Sequence, residues 1–102
     1  MSASAQQTEF TTAVATGWTQ MDVSPLTPRS FVEIINNDGT QGVGLIFTSG
    51  AAPTSQAWNT GEILLAGDKG AIAPASATIK VYVKTQTGAQ VSGAALILRE
   101  WS

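Results

Sequence analysis

Residues 78–84 alternate without a break between apolar and polar side chains. Ile79, Val81 and Val83 fall on one side, and Lys80, Tyr82 and Lys84 on the other. A period of two belongs to a strand with one dry face and one wet face. Residues 29–36 predict a second strand. Val32 and Ile34 share one face of it; Phe31, Glu33 and Ile35 share the other, which is mixed and therefore open to being covered. Residues 42–48 predict a third, with Val43, Leu45 and Phe47 on one side. Between the second and third strands lies Asn36-Asn37-Asp38-Gly39-Thr40, whose residues tolerate the positive φ of tight turns. Residues 29–48 therefore predict a β-hairpin.

The rest of the chain follows the same vocabulary. Residues 49–55 carry loop chemistry, and residues 57–58 and 62–65 bracket another strand or pair of short strands. A turn is expected at 66–70, then a short apolar run at 71–73 that Pro74 ends. Residues 85–93 predict the tip of a last hairpin, with 94–101 as its return strand. Residues 18–23 predict an early strand, closed by a segment containing Pro25 and Pro28. Residues 10–16 are β-prone and suited to pairing with a neighbour. No stretch shows helical apolar spacing between caps, and no repeat of 20–50 residues is present. The expected fold is all-β: a single small β-sandwich or jelly-roll-like domain of six to eight antiparallel strands. Residues 1–8 form an extended N-terminal arm, flexible or docking, and residues 9–102 the sandwich.

Composition changes the picture in one respect. Only 12% of the 102 residues are charged while 43% are hydrophobic, against about 25% charge in an ordinary soluble domain. So little charge implies a surface partly covered by other subunits. The net charge is −2, and the five basic residues (Arg29, Lys69, Lys80, Lys84, Arg99) are scattered. That pattern offers no basic face for nucleic acid or for an anionic membrane. No apolar run approaches the roughly 20 residues of a membrane span, and the first residues lack the basic and apolar regions of a secretory signal. With neither cysteine nor histidine, the chain has no disulfide, no thiolate zinc site and no histidine-based triad.

Candidate chemistry is correspondingly thin. The acids are Glu9, Asp22, Glu33, Asp38, Glu62, Asp68 and Glu100. Asp38 and Asp68 fall in turns, and Glu33, Glu62 and Glu100 on strands, where solvent exposure is open to them. Their spacing gives no sign of the paired carboxylates of a glycosidase. Gly39-Thr40-Gln41-Gly42-Val43-Gly44 reverses the dinucleotide fingerprint and leads into a strand, so it reads as a turn. Asn36, Asn37 and Asp38 are oxygen-rich, but turn chemistry accounts for them without a cation. No catalytic residue, cofactor or metal ligand is expected, and the protein reads as non-enzymatic. The aromatics remain. Phe10, Trp18, Phe31, Ile35, Trp58 and Trp101 are the interface candidates. For the tryptophans the alternative is filling a small core or closing one end of the sandwich. Exposed rings would equally suit stacking on sugars.

One resemblance adds to this reading. Arg29-x-x-Val32-x-Ile34-x-Asn36-Asn37-Asp38, then a second strand, the stretch 70–74, Val81-Tyr82-Val83 and a final strand at 94–101 resemble small β-sandwich virion structural proteins of tailed bacteriophages. The likeness is one of order and composition over residues 29–101, and residues 49–60 depart from it. It implies a capsid decoration (cement) protein or a head or tail accessory protein. Such a protein would be a homo-oligomer, with a trimer favoured, seated on the major capsid protein or another virion protein. It would be made in the host cytoplasm and reside in the virion, and its arm would order on docking. The alternative is a carbohydrate-binding or receptor-recognition module of a tail or head fibre. Either way, the apolar strand faces at 31–35, 43–47 and 94–98 should be covered on both sides, by the core and by a second sheet or subunit.

Overall fold

The computed structural model describes residues 6–11, 17–22, 26–37, 41–74, 76, 78–86 and 96–101. Eight strands run in chain order: β1 (Gln6–Thr11), β2 (Thr19–Gln20), β3 (Phe31–Asn36), β4 (Val43–Thr48), β5 (Glu62–Leu64), β6 (Lys69–Pro74), β7 (Lys80–Thr85) and β8 (Leu96–Trp101). All pairings are antiparallel, and no helix occurs among the described residues.

The pairing has a simple logic. The first strand pairs with the eighth, the second with the seventh, the third with the sixth and the fourth with the fifth. The chain is thus one long two-stranded ribbon whose tip is the β4–β5 hairpin. The ribbon is rolled so that β3 lies against β8 and β4 against β7. Two four-stranded sheets result, in the orders β1-β8-β3-β6 and β2-β7-β4-β5. This is the jelly roll, one of the ways an antiparallel chain limits its open edges.

Alternation fills the space between the sheets. Val32 and Ile34 of β3 and Leu96 and Leu98 of β8 face Val43 and Leu45 of β4, Val81 and Val83 of β7, and Leu64 and Met21, all buried in one cluster. Phe47 and Ile79 pack against its margin. Burying a Val, Leu or Ile side chain contributes roughly 1.5–3 kcal/mol, so this layer is the main source of stability.

Four expectations change. Residues 29–48 do not form a hairpin, because β3 belongs to one sheet and β4 to the other. The same holds for β7 and β8. A polar turn reverses the chain whether the two strands lie side by side or face each other across a core. Turn chemistry therefore fixes the reversal and leaves the pairing open. Residues 57–58 form a turn instead of a strand, so only Glu62–Leu64 pairs there. Of the expected arm at 1–8, Gln6, Gln7 and Thr8 are the first half of β1 on an edge of the first sheet, and residues 1–5 lie outside the described residues.

Both ends of the sandwich are tied by buried polar side chains. At one end, Asn36 sits wholly inside. Its Nδ2 donates to the carbonyls of Gln41 (2.8 Å) and Leu65 (3.3 Å), and its backbone N–H donates to Asp68 O (2.9 Å). One side chain thereby joins the end of β3 to the entry of β4 and the exit of β5. The turn that receives it closes through Asp68 N–H to Leu65 O, with Gly67 at φ +78°, a conformation glycine adopts without steric cost.

Candidate functional site

At the opposite end Arg29, Asp22 and Glu100 form an ion triad with no side-chain exposure. Arg29 Nη1 lies 3.1 Å from Asp22 Oδ2 and 2.9 Å from Glu100 Oε2. Arg29 Nη2 donates to the carbonyls of Ser76 (2.9 Å) and Ile79. The acids have further partners: Asp22 Oδ1 accepts the Val81 N–H (3.0 Å), and Glu100 Oε2 accepts the Leu26 N–H (3.0 Å). Buried ions persist only when paired and hydrogen-bonded in this way. The triad stitches the β2–β3 connection to the start of β7 and the end of β8.

Glu100 on a strand was open to solvent exposure by sequence; it is fully buried instead. The signal for this was its parity with Leu96 and Leu98, which places it inward. These two carboxylates are sealed from solvent, which gives them a tying role. Among the described residues, no group of three His, Cys, Asp or Glu side chains is placed to hold a metal ion.

Part of the outer face of the second sheet, around Gly44, is covered by the chain itself. Residues 49–61, which include the stretch 49–60 that departs from the phage pattern, fold back across β4. The backbone of Trp58 lies on Gly44 so closely that a Cβ there would meet Trp58 O at 1.5 Å. A Cβ on Gly61 would meet Leu45 O at 2.4 Å. Two glycines, and no larger residues, allow this approach. The carbonyl of Gln56 then accepts two donors from outward-facing side chains, Trp18 Nε1 (3.0 Å) and Lys84 Nζ (2.9 Å). Lys84 Nζ also stands 5.9 Å from the centre of the Trp18 ring, within cation–π range. At Gly44 the face at 43–47 is therefore covered by a loop of the same chain, while Ile46 on that face stays half-buried. Trp18 and Trp58, both half-buried, belong to this latch.

The outer face of the first sheet is different. Its register places Phe31 opposite Trp101, Glu33 opposite Arg99, and Ile35 opposite Ile97. Phe31 is 48% exposed, whereas Ile35 is buried although it lies outside the core cluster. Glu33, Ile97, Arg99 and Trp101 are half-buried. On the flanking strand Phe10 occupies the position opposite Ile97. The sheet thus carries four of the six interface candidates in two rows: Phe31 and Trp101 are paired in one, and Ile35 and Phe10 flank Ile97 in the other. Its centre holds a pair of opposite charges, Arg99 Nη1 to Glu33 Oε1 at 3.4 Å, with the arginine side chain 44% exposed. Sequence reasoning selected the aromatic residues but missed this ion pair, because cross-strand neighbours appear only once the register is known. Ile63 in β5 and Leu65 just after it, further exposed apolar side chains, were missed as well.

Set against protein-family models, curated proteins and solved structures, the chain matches none of them.

Proposed function

We propose that this protein is a non-enzymatic structural component of a tailed-bacteriophage virion, most specifically a capsid decoration protein. In this reading it acts by contact alone: apolar surface bridges neighbouring subunits of the assembled head and resists their separation. The observation that carries the reading is the jelly-roll strand order combined with an outer sheet face on which Phe31, Ile97 and Trp101 surround the Glu33–Arg99 ion pair. Jelly rolls recur in capsid proteins, though also in lectins, and a face so poor in charge suits burial against protein. The low overall charge and the likeness of residues 29–101 to small virion sandwiches support the same reading.

Co-sedimentation tests it. The purified chain is mixed with emptied heads of the phage that encodes it and, separately, with the free major capsid protein. Saturable binding to heads at a fixed ratio, with little to free capsid protein, supports the reading. Absence from the head pellet at saturating concentration overturns it.

A further inference from the structure

We infer that the outer face of the first sheet is a two-fold self-association surface, whose partner is a second copy of this chain. The inference rests on the contact role proposed above and gives this face to a second copy, which leaves the head to be held by other surface of the dimer. It rests on the register. The sheet order β1-β8-β3-β6 has its midline between β8 and β3. A two-fold axis lying in the interface, along the strands at that midline, exchanges β3 with β8 and β1 with β6. Residues opposite each other within one sheet then become residues facing each other between copies. Phe31 meets the partner's Trp101, while Ile35, already buried within its own chain, lies beneath the partner's Ile97 and adds little area. Arg99 meets the partner's Glu33, while Glu33 meets the partner's Arg99. One operation thus satisfies every described outward position of β3 and β8 at once, and it leaves no charge facing its own kind. That self-complementarity is what an isologous contact requires. The strands of the two copies run aligned, the ordinary geometry for stacked sheets.

Size is consistent with a dimer of modest strength. Four strands about 4.8 Å apart, each six residues long at about 3.3 Å per residue, give a footprint of roughly 19 by 20 Å. With side-chain relief, two such faces bury on the order of 1,000 Å², the lower bound for a specific interface. The expected dissociation constant is therefore micromolar, and the expected species is two-fold, in place of the trimer that the phage likeness favours.

Light scattering coupled to size exclusion tests this on the full chain at about 100 µM, well above a micromolar dissociation constant. The expected mass is twice the chain's 10.5 kDa. Arg99→Glu and Glu33→Arg each set like charges across the interface, and each alone should run as a monomer. Mixed in equal amounts, R99E and E33R chains present opposite charges to each other and should recover the dimer mass. Circular dichroism checks that both variants fold. Should either fail to fold, Phe31→Ser, at an exposed position, should weaken dimerisation at least tenfold. A monomeric or trimeric wild type, or a mixture that stays monomeric, overturns the inference. Dimers that ignore heads overturn the decoration role and leave this inference standing. Monomers that co-sediment with heads do the reverse.

Discussion

Arg29 is the residue whose removal the structure makes most costly. Arg29→Met keeps much of the side-chain volume and deletes the guanidinium. Asp22 and Glu100 then remain together, with no side-chain exposure and without their shared cation. The carbonyls of Ser76 and Ile79 also lose their guanidinium donor. Breaking a buried ion pair by removing one partner costs about 3–5 kcal/mol. Domains of this kind have only about 5–15 kcal/mol in total. The upper half of the estimate follows from two acids losing one cation; the lower half allows for water entering the end of the sandwich. Urea unfolding followed by circular dichroism measures the change, at fixed chain concentration because self-association would add to stability. With a slope of about 1–3 kcal/mol/M, the midpoint should fall by at least about 1 M. Arg29→Lys keeps the charge but lacks the planar fork, so it should lie between wild type and Met. A midpoint within about 0.2 M of wild type for Arg29→Met would refute the claim that the triad ties this end of the fold.

Three other outcomes follow from the geometry. Gly44→Ala drives a Cβ into the Trp58 backbone; it should cost about 1–3 kcal/mol and release the 49–61 loop, read as faster proteolysis there. Asn36→Leu removes the donor shared by Gln41 and Leu65 and should cost about 1–3 kcal/mol in the same urea assay. Because Lys84 occupies one side of the Trp18 ring, a glycan panel should leave tryptophan fluorescence unchanged, and saturable quenching by any member would favour the glycan-binding alternative.

The strands were legible wherever one face is dry. Val81 and Val83, or Val32 and Ile34, announce their parity, and the same parity carries Glu100 inward beside Leu98. That Phe31, Glu33 and Ile35 share one mixed face was also legible. Partnership was not. Asn37 and its neighbours mark a reversal, yet β3 finds β6 and β8 instead of β4, a choice made by the whole ribbon as it rolls. Nor was the triad: Asp22 and Arg29 lie 7 residues apart and Glu100 a further 71 along the chain, and although parity turns Glu100 inward, nothing local names its partners. The 49–61 loop was opaque for a related reason. Its docking depends on Gly44 and Gly61 lacking side chains, and a glycine in a strand does not say what approaches it.

The central claim is that this protein works by contact, holding an assembled shell together. Calorimetry of emptied heads, with and without a saturating amount of the chain, tests it most directly. The account predicts that the shell-disassembly transition moves to higher temperature as the chain binds. A transition that stays in place, or falls, with the chain bound would contradict it.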